Sequence, residues 1–242
     1  MMRHWLICFS FLTALALGRA NASTVSGVIQ LTANSNSPRE QRRHLSDIVV
    51  WLDALSPAAS LQAPAQHAEM LQKDKMFHPH VLPILVGTAV EFPNADPIFH
   101  NAFSNYDGQM FDVALYPPGT SRTVVFRKAG IARVFCNIHP AMSAIILVLK
   151  TPYFVKVNAD GRYLIPNVPA GQYELHYYDE RATGDNSHPP QLTVESAVME
   201  VGAPVLRISE AGYVTLATHK NKYGQDYPPD ALSYGGNIGP PK

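Results

Sequence analysis

Phe135-Cys136-Asn137-Ile138-His139-Pro140-Ala141-Met142-Ser143-Ala144-Ile145 is the stretch on which the reading of this 242-residue chain turns. A strand pattern, Ala132 to Phe135, ends where this stretch begins. A second, apolar one starts at Ser143 and runs to Lys150. Between them Cys136, His139 and Met142 sit on a tight loop joining two strands, so thiol, imidazole and thioether face one point from one side. A fourth donor must come from elsewhere. Thr88-Ala89-Val90-Glu91-Phe92 reads as a strand, Pro93-Asn94-Ala95-Asp96-Pro97 as a turn, and His100 opens the next extended stretch.

Two imidazoles, one thiolate and a long, weak thioether bond suit copper that cycles between two oxidation states, because soft sulfur favours Cu(I) and imidazole serves both. Zinc is the competing occupant, but methionine is a poor zinc ligand. The bland alternatives are an inert buried thiol, a loop histidine and a core methionine. Only the constellation argues against them. A thiol nucleophile with His139 as its base would need an orienting third group and an oxyanion hole, and the sequence offers a signal for neither.

Cysteine usage sharpens the point. Met1 to Arg3 is a basic start, Leu6 to Leu17 an apolar run too short to span a bilayer, and Ala20-Asn21-Ala22 a small-x-small cleavage site. Residues 1–22 thus read as a signal peptide that takes Cys8 with it and leaves Cys136 alone. A lone thiol in an oxidising compartment points to metal ligation, catalysis or intermolecular pairing. Export also removes Arg3 and Arg19, leaving a net charge of about −2. No basic run suggests a nucleic-acid partner, and no later stretch is long enough to span a membrane.

These residues carry a resemblance. Cys136-x-x-His139-Pro140-x-Met142 resembles the copper loop of amicyanin-like and plastocyanin-like cupredoxins, and Val86 to Asp96 resembles their strand leading to the first histidine. His100-Asn101-x-Phe103-Ser104 and Phe77-x-Pro79-His80 are similar to a group often labelled methylamine utilisation protein. The resemblance covers Lys73 to Lys150. It implies one type 1 copper held by His100, Cys136, His139 and Met142, with Asn101 tying the loop near Asn137 to the His100 segment. It further implies that His139 is the exposed electron port, with Pro140 and Ala141 as its small apolar surround.

The chain as a whole reads as all-β, because short alternating runs recur between turns such as Lys128-Ala129-Gly130, Asp160-Gly161 and Pro169-Ala170-Gly171. Residues 23–73 hold two strands, around Val25-Ile29 and Ile48-Leu52, and Leu61 to Lys75 reads as a helical turn or a linker. Residues 74–150 form the cupredoxin-like Greek-key sandwich. Residues 151–218 resemble the carboxypeptidase-regulatory, prealbumin-like β-sandwich, within which the cupredoxin unit is inserted if the early strands belong to it. Residues 219–242, rich in Pro and Gly, read as a disordered tail. Met76, His78 and His80 are candidates for a second copper site. Tyr163, Tyr173, Tyr177 and Tyr178 with Phe154 are candidates for a sugar-binding strip, against the simpler reading of a β-core.

The function these features imply is non-enzymatic single-electron transfer in the periplasm, by a monomer that docks weakly on a c-type cytochrome or a periplasmic oxidoreductase. The alternatives are a copper delivery or tolerance module without redox traffic, and a surface sandwich with a vestigial copper unit.

Overall fold

The computed structural model describes residues 22–32, 44–56, 67–105, 108–195, 199–214 and 218–227. Of the segment read as a signal peptide, residues 1–21 lie outside the described residues. Strands β1 (Ser23–Thr32) and β2 (Val49–Ala54) come first. A middle run follows: β3 (His67–Glu69), β4 (Leu71–Lys73), β5 (Met76–His78), β6 (Val81–Leu85), β7 (Ala89–Pro93), β8 (Phe103–Ser104), β9 (Phe111–Asp112), β10 (Ser121–Val125), β11 (Gly130–Phe135) and β12 (Ser143–Leu149). The last six are β13 (Phe154–Lys156), β14 (Arg162–Val168), β15 (Gly171–Tyr178), β16 (Gln191–Val194), β17 (Glu200–Gly202) and β18 (Leu206–Ser209). The chain is all-β, and no helix among the described residues is long and apolar enough to cross a membrane.

Pairing divides these strands into two units. In the middle run one sheet has the order β10-β7-β3 and another β6-β12-β11-β8-β9, with the β4–β5 hairpin beside them. Phe77, Val90, Phe92, Phe126, Val134, Met142, Ile146 and Val148 fill the core between. The other unit joins the two ends of the described chain. β1 pairs with β14, β17 and β18, while β2 lies between β13 and β15. Val25, Ile29, Leu52, Tyr163, Ile165, Tyr173, Leu175 and Ile208 pack between those two sheets. The N-terminal strands therefore belong to the C-terminal sandwich, and residues 67–149 lie between its second and third strands.

Two sequence readings are corrected here. The middle unit does not begin at Asp74, because β3 already pairs in parallel with β7 and Lys73 pairs with Met76 inside the β4–β5 hairpin. Of the Leu61–Lys75 stretch, residues 61–66 lie outside the described residues, and the rest is two short strands followed by a turn at Asp74-Lys75 rather than a helix. The aromatics follow the simpler β-core reading: Tyr163 and Tyr173 are buried in the second core.

β12 explains why the chain has so apolar a run after the loop. Along a strand successive side chains point to opposite faces. Ala144, Ile146 and Val148 enter the middle core, whereas Ile145, Leu147 and Leu149 meet Val49, Val81 and Tyr178 at the junction of the two units. Buried on both faces, the strand loses the polar alternation of a half-exposed one. Its antiparallel register with β11, from Gly130↔Val148 to Phe135↔Ser143, brings the two ends of the Cys136–Met142 loop together.

Candidate metal centre

The loop closes on itself through two backbone bonds: Cys136 N–H donates to Met142 O at 3.2 Å, and Met142 N–H to His139 O at 3.0 Å. A single turn thereby brings Cys136, His139 and Met142 to the mouth of the β11–β12 hairpin. Cys136 and Met142 are buried in the middle core. His100 reaches the same place from β7 by way of the Asn94 turn. Asn94 Nδ2 donates to Ile98 O at 2.8 Å, and His100 then exchanges backbone bonds with Tyr116 at 2.8 and 3.2 Å.

The donors converge. His139 Nδ1 lies 3.5 Å and His100 Nδ1 3.8 Å from Cys136 Sγ, and all three atoms fall within 4.8 Å of one another. An ion bonded at about 2.3 Å to sulfur and about 2.0 Å to nitrogen sets those donors roughly 3.5–3.7 Å apart at angles near 110–120°. The observed separations fit one shared ion. Both histidines present Nδ1, and both titrate below the usual histidine range. Burial is the main cause in each. For His139 the His100 ring adds to it and brings the value to about 4. Neutral imidazole is the form that ligates.

Cys136 is pushed the other way. Burial raises its thiol above the usual range, although backbone N–H groups of Ile138, Asn101 and His139 turned toward the sulfur oppose the shift. A buried thiol with a raised pKa is a poor nucleophile, which argues against the Cys-His catalytic reading. A bound cation reverses that situation by taking the thiolate directly.

Asp96 was not singled out from the sequence. Its Oδ2 sits 2.7 Å from His100 Nε2, while its two oxygens also accept the amides of Asp74 at 2.7 Å and Lys75 at 2.9 Å. Burial opposes the charged carboxylate, but those amides and the imidazole outweigh it and hold its pKa below the ordinary value. A carboxylate accepting from Nε2–H leaves the Nδ1 lone pair free for a metal and fixes the ring plane. Asn101 clamps the loop from beneath. Its Oδ1 accepts Asn137 N–H at 3.1 Å, and its Nδ2 donates to Asp112 Oδ1 at 2.8 Å.

The largest departure from the sequence reading is the C-terminal segment. Residues 219–227, read as part of a disordered tail, lie against the loop; residues 228–242 are outside the described residues. His219 N–H donates to Pro140 O at 3.1 Å, and its ring packs on Phe135 with centroids 4.4 Å apart. Lys222 N–H donates to Asn137 Oδ1 at 2.9 Å, and Tyr227 OH to Cys136 O at 3.0 Å. Pro140 is consequently buried rather than an exposed neighbour of His139; Ile138 and Ala141 remain exposed. Aromatic contacts and hydrogen bonds to loop carbonyls hold this polar segment, and hydropathy alone does not register either.

Met76, His78 and His80 do not converge. Met76 and His78 are exposed, His78 Nε2 contacts Lys73 O at 3.3 Å, and His80 Nε2 faces Glu180 Oε2 of the other unit at 2.7 Å.

No family model matches the chain. Over 56 residues it is 41% identical to the methylamine utilization protein MauL of Methylorubrum extorquens, a stretch that is 23% of this chain and 49% of that protein. The chain thus spans about half the length of the curated relative it matches. Among solved structures, a purple cupredoxin from Nitrosopumilus maritimus is 24% identical with a TM-score of 0.32, covering 34% of this chain and 99% of that one. Amicyanin from Paracoccus versutus is 20% identical with a TM-score of 0.33, covering 40% and 97%. The chain is similar in sequence to MauL over that stretch alone.

Proposed function

We propose that this chain is an exported cupredoxin that transfers single electrons through one type 1 copper ion, held by His100, Cys136, His139 and Met142. The observation that carries the reading is the convergence of two Nδ1 atoms on one buried sulfur at 3.5 and 3.8 Å, with Met142 buried in the same core. Copper in such a donor set supplies a reversible one-electron couple.

The residues around it do the rest. Asp96 and Asn101 hold the His100 ring and the loop backbone in place, so little needs to move when an electron arrives. The strands of the middle core exclude water from Cys136. Four donors with no open position suit a carrier rather than a catalyst. Phe99, Leu115 and Ile138, on segments flanking the ligands, stay exposed and offer an apolar docking face for a c-type cytochrome or a periplasmic oxidoreductase. Weak docking on a small interface by a monomer fits rapid turnover. The second sandwich, similar to carboxypeptidase-regulatory modules, would be structural.

A stopped-flow experiment separates carriage from delivery. The Cu(I) protein is mixed with an oxidised c-type cytochrome in the presence and absence of a Cu(I) chelator. A carrier reduces the cytochrome in milliseconds to seconds and keeps its copper. A delivery protein surrenders copper to the chelator and leaves the cytochrome oxidised, and that result would remove the electron-carrier reading.

A further inference from the structure

A second group of ligating side chains lies in the other unit. His44 precedes β2, Asp179 follows β15 and Glu210 follows β18. Each opens a turn closed by a backbone bond to its own carbonyl: Asp47 N–H to His44 O at 2.9 Å, Ala182 N–H to Asp179 O at 3.2 Å, and Tyr213 N–H to Glu210 O at 3.2 Å. The three turns bring the side chains together, all of them buried. His44 Nε2 is 2.9 Å from Asp179 Oδ1 and 2.6 Å from Glu210 Oε1.

These contacts are short but poorly directed. His44 Nε2, Glu210 Oε1 and Asp179 Oδ2 are all without a hydrogen-bond partner, and the Asp179 side chain is 0% exposed. Leaving a buried donor or acceptor unmade costs about 1–3 kcal/mol, so three in one place call for an explanation. Charge sharpens the point. Even against a protonated imidazole, two buried carboxylates leave one negative charge over. Arg181 offsets part of it from a distance, its guanidinium lying over the Tyr213 ring 5.8 Å from the centroid.

We infer that His44, Asp179 and Glu210 form a second metal site, one that takes a divalent cation of zinc type. One imidazole and two carboxylates form a neutral set with a divalent ion, and imidazole with carboxylate oxygen is within zinc's donor range. An ion bonded at about 2.0–2.2 Å in zinc's tetrahedral arrangement places neighbouring donors about 3.3–3.6 Å apart, so the observed 2.6 and 2.9 Å open by about 0.4–1 Å as the ion enters. The ion would tie three turns of the second sandwich together. Because the three ligands lie 135 and 31 residues apart in sequence, the site forms only in the folded chain, and binding there stabilises the fold.

The test uses the full chain carrying Cys136→Ser, which removes the thiolate of the first centre, and titrates it with Zn2+ alone. One zinc per chain is expected by elemental analysis, with a rise in thermal midpoint and an anomalous-scattering peak between His44, Asp179 and Glu210. Adding His44→Gln or Glu210→Gln should weaken zinc binding at least a hundredfold while the far-UV circular dichroism stays that of the parent; two variants are made so that one misfolding does not end the test. If Cys136→Ser takes up no zinc, or His44→Gln and Glu210→Gln keep the parent affinity, the cluster is a buried ion-pair triad only and the inference falls.

Discussion

Asp96→Asn is a near-isosteric change that should loosen the metal centre without touching a ligand. The carboxylate accepts three donors, from Asp74 N–H, Lys75 N–H and His100 Nε2. An amide supplies one acceptor oxygen and one NH2 group. If the NH2 faces His100, Nε2 must accept, and the imidazole proton moves to Nδ1, the atom turned toward Cys136 Sγ. If the amide flips, its NH2 meets the Asp74 N–H and leaves that donor unmade. The first arrangement competes directly with metal ligation and, because Oδ2 also accepts Lys75 N–H, leaves that donor unmade. The second costs about 1–3 kcal/mol of fold stability. Loss of a group that orients a ligating histidine weakens metal binding about 10–100-fold, or roughly 1.4–2.7 kcal/mol. Chelator competition with Cu(I) and Cu(II), alongside urea unfolding of the metal-free protein, measures both. Copper affinity within threefold of the parent, with unchanged apo stability, would refute the assignment of Asp96 as the group that orients His100.

Three further outcomes are expected. Ile146→Ala and Ile145→Ala, neighbours on β12, should each cost about 2–5 kcal/mol in denaturant unfolding; Ile146→Ala should also perturb copper binding, because Ile146 shares a core with Cys136 and Met142, while Ile145→Ala should act at the junction of the units and leave copper affinity as it was. The His80–Glu180 pair should give pH-dependent stability. Its hydrogen bond to Glu180 raises His80 above 6.5, so that stabilisation is full below about pH 6.5 and fades as pH rises through the folded value; Glu180, drawn below 4.5 first by His80, contributes above about pH 4.5 and loses its share in stronger acid. The stability gap between parent and Glu180→Gln should therefore be widest near pH 5–6 and shrink toward pH 8, by no more than about 1 kcal/mol because both side chains are partly exposed; a gap that grows with pH contradicts the assignment. Tyr227→Phe removes the bond to the Cys136 carbonyl and should cost about 0.5–1.5 kcal/mol while raising hydrogen exchange at residues 219–227; unchanged exchange there would mean that Tyr227 does not hold the segment.

The parts of this centre that were legible in the sequence are local. Cys136, His139 and Met142 lie within one loop whose flanking strands announce themselves by pattern, and His100 follows a readable strand and turn. Asp96 was hidden because a turn aspartate looks the same whether its oxygens meet water or the amides of Asp74 and Lys75. The unit boundary was misplaced because β3 and β4 are three-residue strands, too short to show a period. Among the last described residues, His219 and Tyr227 act by stacking on Phe135 and bonding to Cys136 O, across 84 and 91 positions of sequence. The Pro- and Gly-rich composition around them says nothing of either contact. β12 was read correctly as a strand, yet its two-sided burial appears only once the second unit is seen to pack on it.

The most direct test of the central claim is the visible and EPR spectrum of the full chain loaded with Cu(II), recorded beside Cys136→Ser. The expected result is an intense blue thiolate-to-copper band with narrow copper hyperfine splitting, bleached by ascorbate and missing in the variant. A colourless copper complex, or a band that survives Cys136→Ser, would contradict it.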